Sequence, residues 1–176
     1  MYEGIYNMDL TSPRTIRNIQ EQFGFTFKKG LGQNFLTARN ILEEIVDAAE
    51  IESGVIEVGP GFGVLTSELA QNSDKVVTIE IDERLIDVLD YTLAEYDNVK
   101  IINEDILKLD LKKVIDDEFN GEKVSIAANL PYYITTPIIT KLLEEKLPIK
   151  NIVVMVQKEV AERMSAKPST KDYGAI

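Results

Sequence analysis

Residues 55–63 read VIEVGPGFG, and this stretch decides the fold. Three of its first four residues are β-branched, and the glycines that follow permit a tight turn. Leu65 and Leu69 come next at helical spacing. We therefore predict a buried strand that runs through a glycine-rich turn into a helix, with backbone N–H groups open to a ligand at the turn. The glycine spacing is GxGxG, which differs from the GxGxxG of dinucleotide-binding enzymes.

The same alternation of apolar runs and amphipathic segments continues along the chain. Further strands are predicted over residues 76–80, 99–102, 124–128 and 152–156. Short, continuously apolar strands separated by helices predict an α/β fold with a mostly parallel sheet and helices on both faces.

Helices are predicted from apolar spacing and from capping residues. Thr37, Asp82 and Thr136 are candidate N-caps, and Pro137 suits the first turn of its helix. A weak helical pattern covers residues 15–23, and another helix begins at Lys158. We predict that residues 1–30 form an N-terminal arm and that residues 31–176 form one domain, which is incomplete at its end.

Composition excludes several function classes. The 176 residues contain no Cys and no His, so disulfides, thiolate nucleophiles and the usual zinc ligands are absent. The net charge of −11 argues against a nonspecific nucleic-acid binder. Acidic residues concentrate between positions 41 and 128, however, so the rest of the chain can still present a basic edge to a polyanion. No apolar run is long enough to span a bilayer and the start lacks a signal-peptide pattern, so we expect a cytoplasmic protein.

Polar residues follow successive strands, where the carboxyl ends of a parallel sheet bind ligands. Gly59 and Gly61 follow the first strand, Glu80 ends the second and Asp105 follows the third. The Glu80 carboxylate, at the end of the second strand, can accept from both ribose hydroxyls. The Asp105 carboxylate, after the third strand, can accept from an exocyclic amine of adenine. The alternatives are an ordinary turn, a solvated Glu80 and a helix-capping Asp105. Together the residues predict a nucleoside pocket, and the absence of a Walker sequence argues against an NTPase.

After the fourth strand the chain reads Asn129-Leu130-Pro131-Tyr132. The Asn129 side-chain oxygen and a backbone carbonyl can accept the two N–H groups of an amine on a planar base, while Tyr132 stacks on the ring. The alternative is a turn with a packed tyrosine.

An ordered series of motifs resembles the small-subunit ribosomal RNA adenine-N6,N6-dimethyltransferases. The motifs are GQNFL at 32–36, EVGPG at 57–61, EID at 80–82, NED at 103–105, NLPYYITTP at 129–137 and QKEVAER at 157–163. The resemblance starts near Lys28 and continues to KDYG at 171–174.

The resemblance implies a Rossmann-like class I methyltransferase fold with S-adenosylmethionine as the cofactor and no metal. It implies that the family's activity is dimethylation of the N6 amines of two adjacent adenosines near the 3′ end of small-subunit ribosomal RNA. The implied partner is the pre-30S particle, and no membrane is involved. The cofactor would be lined by Gln33, Asn34, Leu36, Gly59, Gly61, Glu80, Asp105 and Asn129. The target adenine would be held by Asn129, Leu130, Pro131 and Tyr132.

The chain departs from the family pattern at its end. Family members carry two further strands, an aromatic residue opposite the tyrosine and a basic helical domain, which are not found in these 176 residues. We therefore expect a C-terminally truncated enzyme that is weakly active or inactive. Two alternatives stay open: a large-subunit ribosomal RNA adenine-N6 methyltransferase of the macrolide-resistance type, and a noncatalytic RNA-binding assembly factor.

Overall fold

The computed structural model describes residues 8–25, 36, 38–130 and 134–170, and these form an alternating α/β chain. The strands are β1 (Val55–Val58), β2 (Val76–Glu80), β3 (Val99–Asn103), β4 (Val124–Asn129) and β5 (Ile149–Met155). The helices are α1 (Pro13–Gln22), α2 (Arg39–Ala49), α3 (Val64–Gln71), α4 (Ile86–Thr92), α5 (Leu111–Phe119), α6 (Thr135–Glu144) and α7 (Lys158–Ser165). A 3-10 turn at Glu83–Leu85 precedes α4.

The five strands form one parallel sheet in the order β3-β2-β1-β4-β5. Val58, at the end of β1, pairs with Ile79 of β2 on one side and with Ala128 of β4 on the other. The chain leaves β1 first toward β2 and later returns to place β4 on the opposite side. This reversal creates the crevice in which parallel α/β sheets bind ligands, and it confirms the predicted fold class.

Helices cover the two faces of the sheet because successive strand side chains point in opposite directions. Val55 contributes to a first core together with apolar residues of α1, α2, α3 and α4. Its neighbour Ile56 contributes to a second core together with residues of α5 and α6. Ile16 and Ile19 of α1 belong to the first core, so the described part of the predicted arm packs on the sheet. The boundary predicted at residue 30 falls outside the described residues.

Several predicted boundaries differ from the structure. The fifth strand begins at Ile149, three positions before the predicted start, and ends at Met155. The N-cap of α6 is Ile134, so the prediction of Thr136 as that cap is wrong. Thr135 is buried within the helix, which indicates that packing, not a side-chain cap, sets this helix start.

The N-cap of α2 is Ala38, so the prediction of Thr37 at that position is also wrong, and Thr37 lies outside the described residues. Asp82 is confirmed as an N-cap, because its side chain accepts from the backbone N–H of Arg84 at 3.1 Å. Among the helices of the described segments, none is long and apolar enough to cross a membrane.

Sequence reasoning missed α5, the helix between β3 and β4. A parallel crossover needs such an element, and the signals were present. Leu111, Val114 and Ile115 recur at helical spacing and are buried in the second core. Asp110 is the N-cap, and its Oδ1 accepts from the backbone N–H of Lys113 at 3.0 Å.

Replacing this cap should destabilise the fold measurably. We expect Asp110→Ala to lower the free energy of unfolding by about 1 kcal/mol, because one backbone N–H of the first turn loses its acceptor. Asp110→Asn, which keeps a capping oxygen, should lose less. Urea denaturation of both variants beside Glu122→Ala, an exposed control, checks this. Equal midpoints for Asp110→Ala and the control would contradict the capping role.

Candidate functional site

The glycine-rich turn after β1 leaves open space on its outer side. Gly59 and Gly61 have φ values of +73° and +60°, where L side chains are strained, and a Cβ added to either would meet nothing within 4 Å. Gly63 differs, because an added Cβ would lie 2.9 Å from Cδ2 of Leu93. The first two glycines therefore keep a surface free at the crevice, while Gly63 permits the close packing of α3 against the chain after α4.

Glu80 lies directly beside this turn. It is the last residue of β2 and is only 6% exposed. Its Oε1 accepts from the backbone N–H of Asp82 at 2.8 Å, and the backbone N–H of Gly61 faces the same carboxyl group and lowers its pKa. Burial, and secondarily the charge of Asp82, raise the pKa of Glu80, while the backbone donors of Asp82, Gly61 and Ile81 act in the opposite direction. The result is a largely buried carboxyl group fixed beneath the turn.

The turn after β3 is tied to the same strand end. The side-chain nitrogen of Asn103 donates to the carbonyl oxygen of Glu80 at 2.7 Å, and the backbone N–H of Glu104 donates to the same oxygen at 3.0 Å. Asp105 Oδ1 accepts from the backbone N–H of Leu107 at 3.0 Å. Asp105 therefore closes a turn and does not cap a helix, because α5 begins at Leu111 and is capped by Asp110. Its half-buried carboxylate follows the strand that is paired with β2.

Asn129 is the last residue of β4 and is half-buried, in register with Met155 of β5. Leu130 is buried in the second core. The sheet order therefore brings Asn129 to the same edge as the glycine turn, on the opposite side from Glu80.

The remaining predicted site residues divide into two groups. Leu36 is 7% exposed and belongs to the first core. Gln33, Asn34, Pro131 and Tyr132 lie outside the described residues, and their roles stay predictions. In the described segments, no group of three or more His, Cys, Asp or Glu side chains is arranged to hold a metal ion.

Sequence reasoning missed Glu57, a buried acid inside β1. It is 1% exposed, and its Oε2 accepts from Thr66 Oγ1 at 2.5 Å and from Thr78 Oγ1 at 3.2 Å. Burial above all, and the nearby charge of Glu80, raise the pKa of Glu57 to about 7, against the two hydroxyl donors. The available signal was a charged residue inside an otherwise apolar strand. Its hydrogen bonds join β1 to α3 and to β2 below the turn.

Ile81 is the second missed residue. It directly follows Glu80, the last residue of β2, and is 64% exposed, whereas every residue of β2 is buried. A large apolar side chain exposed at a crevice is suited to contact the flat face of a ligand. The signal was an isoleucine placed between the two acids Glu80 and Asp82.

The raised pKa of Glu57 should make stability depend on pH. In the unfolded chain the carboxyl group titrates near its ordinary 4.5, and in the folded chain near 7. Between these values the folded state holds a proton that the unfolded state has released, so rising pH favours unfolding, by up to about 1.4 kcal/mol per pH unit. Glu57→Gln keeps the acceptor for Thr66 and lacks this titration. We expect the stability advantage of Glu57→Gln over the parent to grow from pH 5 to pH 8 in urea denaturation. Parallel pH profiles for the two proteins would show that Glu57 titrates normally.

A parallel sheet, an open glycine turn after its central strand and a buried carboxyl group at the end of the adjacent strand define an α/β fold of the class I methyltransferase type. A family model for ribosomal RNA adenine dimethylase matches residues 24–176, and the chain belongs to this family. The resemblance found in the sequence motifs is thereby confirmed.

Relatives and solved structures agree with this assignment. The protein named ribosomal RNA small subunit methyltransferase A from Bacillus mycoides (strain KBAB4) is 56% identical over 171 residues, which are 96% of this chain and 59% of the relative. The same name and identity apply to a relative from Bacillus thuringiensis (strain Al Hakam). The chain therefore spans about three fifths of the length of these curated relatives.

Two crystal structures share the fold at substantial identity. A dimethyladenosine transferase from Plasmodium falciparum is 35% identical with a TM-score of 0.64, and the match covers 77% of this chain and 47% of that one. The 23S rRNA methyltransferase ErmE is 32% identical with a TM-score of 0.66, covering 80% of this chain and 53% of that one.

Proposed function

We propose that this chain is the cofactor-binding part of an enzyme that uses S-adenosylmethionine to dimethylate the N6 amines of two adjacent adenosines near the 3′ end of small-subunit ribosomal RNA during ribosome assembly. The observation that carries the proposal is the Glu80 carboxyl group fixed beneath an open glycine turn at the reversal of strand order. Family membership and 56% identity to relatives named small subunit methyltransferase A support the choice of reaction and RNA.

The described residues suit the nucleoside part of this cofactor. Glu80 would accept from the two ribose hydroxyls, and the open sides of Gly59 and Gly61 would let the cofactor approach the backbone. Exposed Ile81 would contact one face of the adenine. Asp105 has one oxygen in its turn, and its second oxygen, which lies 3.5 Å from Nζ of the exposed Lys108, would accept from the adenine amine. The family resemblance implies that Gln33, Asn34 and Leu36 would also contact the cofactor.

The acceptor half of the site would lie beside Asn129. The target base must leave its stack to reach the pocket, as in other enzymes that modify bases. The Asn129 side-chain oxygen and the Leu130 carbonyl would accept the two N6 hydrogens, while Pro131 and Tyr132 would hold the ring. Bound S-adenosylmethionine supplies an electrophilic methyl group.

Positioning is the main contribution of these residues to the rate. The N6 lone pair is delocalised into the adenine ring, and hydrogen bonds from both N6 hydrogens to fixed acceptors favour a pyramidal nitrogen directed at the methyl group. The methylated nitrogen is cationic and gives up its proton readily, so a chain without histidine can carry out the reaction.

The large-subunit alternative rests on the similarity to ErmE, at 32% identity. The higher identity to relatives named for the small subunit favours the small-subunit reaction. The proposed RNA partner and its assembling particle also support the cytoplasmic location expected from the sequence.

The proposal is tested by methyl transfer to RNA. We would incubate the chain with methyl-labelled S-adenosylmethionine and unmethylated small-subunit ribosomal RNA or particles, with large-subunit RNA in parallel, and quantify N6-dimethyladenosine by mass spectrometry. Small-subunit RNA should carry more label than large-subunit RNA, even at the weak activity expected from the sequence. Transfer to large-subunit RNA alone would favour the macrolide-resistance type, and RNA binding without transfer would favour the assembly factor.

In the same assay Asn129→Ala should still bind the cofactor, because the ribose and adenine contacts of Glu80 and Asp105 remain, and should lose methyl transfer by about 100-fold, because one fixed acceptor for the N6 amine is removed. Asn72→Ala, at the far end of α3, is the matched control. Normal turnover of Asn129→Ala would overturn its assigned role.

The cofactor assignment predicts a loss of affinity in Glu80→Ala. We expect S-adenosylmethionine binding, measured by calorimetric titration, to weaken by about 1–3 kcal/mol, the typical value of hydrogen bonds to a charged group. Glu83→Ala removes an exposed acid three residues away and should leave the affinity unchanged. Equal affinities for the parent and Glu80→Ala would exclude the ribose contact.

A further inference from the structure

Phe25, just beyond α1 in the predicted arm, contacts both segments that hold the Glu80 carboxyl group. Its ring meets the ring of Phe62 edge-on, with centroids 5.7 Å apart and an interplanar angle of 71°. On another side, the guanidinium carbon of Arg84 lies 5.2 Å from the centroid of the Phe25 side chain. The Phe25 ring is largely buried, at 8% exposed, whereas the Arg84 side chain that covers one side of it is 61% exposed.

The contact between Phe25 and Phe62 affects the position of Glu80 through the glycine turn. Phe62 is 1% exposed and sits between Gly61 and Gly63, both of which have positive φ values. A turn rich in glycine has many accessible conformations, and a buried aromatic ring at its centre restricts them. Fixing the Phe62 ring therefore restricts the backbone of the neighbouring Gly61, whose N–H faces the Glu80 carboxyl group.

The contact between Phe25 and Arg84 affects the position of Glu80 through the turn after β2. The Arg84 side chain holds Asp82 with two hydrogen bonds, Nε to Oδ1 at 2.8 Å and Nη2 to Oδ2. The backbone N–H of Asp82 donates to Glu80 Oε1 at 2.8 Å. The pairing also neutralises a negative charge beside Glu80, which would otherwise oppose the ionised form of that carboxyl group.

We propose that Phe25 is a positioning residue for the cofactor site: it joins the glycine turn to the turn after β2 and thereby sets the place of the ribose-binding carboxylate. These contacts connect six residues, which we call the Phe25 cluster: Phe25, Phe62, Gly61, Glu80, Asp82 and Arg84. The inference rests on the proposed function, because Glu80 is taken to bind the ribose. Its consequence is that cofactor affinity depends on a residue of the N-terminal arm.

The chain offers a matched control two residues earlier. Phe23 also follows α1 and also makes an aromatic contact, with Tyr91 of α4 at a centroid distance of 5.5 Å and an interplanar angle of 57°. Phe23 packs against the first core but is outside the Phe25 cluster. Loss of Phe23 should therefore affect the stability of the arm without moving Glu80.

The test is calorimetric titration of S-adenosylmethionine into Phe25→Leu, Phe25→Tyr, Phe23→Leu and the parent chain, well below their thermal unfolding temperatures. We expect Phe25→Leu to bind about three-fold to ten-fold more weakly, the scale of one aromatic and one cation–π contact. Phe25→Tyr, which keeps the ring, should bind within about two-fold of the parent, and so should Phe23→Leu. Equal losses in Phe23→Leu and Phe25→Leu would overturn the proposal, because they would report general loosening of the arm.

Arg84→Gln provides a second test that does not depend on a core substitution, since the Arg84 side chain is 61% exposed. We expect a loss of similar size, and the double variant with Phe25→Leu should lose less than the product of the two single losses, because both act through one set of contacts. If the loss of cofactor affinity in the double variant equals the product of the two single losses, the proposal is overturned.

Glu80→Ala separates this inference from the proposed function. If Glu80→Ala binds S-adenosylmethionine as the parent does, the ribose assignment fails and the proposed function loses its main support. If Glu80→Ala binds weakly while Phe25→Leu and Arg84→Gln bind normally, the proposed function stands and the role of Phe25 is wrong.

Discussion

The position of β1 between β2 and β4 is the constraint on which the site depends. Because all three strands run parallel and stay in register at Val58, Ile79 and Ala128, the residues that follow them meet at one edge of the sheet. The glycine turn, Glu80 and Asn129 come from distant parts of the chain and are placed together by backbone pairing alone. Side-chain contacts then refine an arrangement that the sheet has already set.

Two neighbouring carboxyl groups beneath the turn show how the chain tolerates polar groups in its interior. Glu57 is fully enclosed and held by two threonine hydroxyls, whereas Glu80 has backbone donors and a small exposed face. Burying a carboxyl group costs free energy unless hydrogen bonds compensate, and the cost is larger when two lie close together. The glycine turn is therefore supported by two buried carboxyl groups, and the charge of Glu80 adds to the burial that raises the pKa of Glu57.

The sequence predicted the parts of the molecule that depend on local pattern. Apolar runs located all five strands, and the spacing from Gly59 to Glu80 identified the crevice. The N-caps Ala38 and Ile134 were missed because tertiary packing outweighed the preference of threonine for capping positions. Contacts such as Phe25 with Phe62 join residues that are far apart in the chain, and no periodicity or motif indicates them. Ile81 was missed for another reason: its exposure is a property of the folded edge, while its residue type suggests burial.

The packing of α1 has a practical consequence for engineering this fold. Ile16, Ile19 and Phe25 all enter the first core, so residues 8–25 are an integral part of the apolar interior despite lying before the first strand. A shortened version that starts at α2 would expose the surface that these side chains cover, and it would present the glycine turn without its aromatic neighbour. Fusion partners are therefore better joined before residue 8 than substituted for the helix.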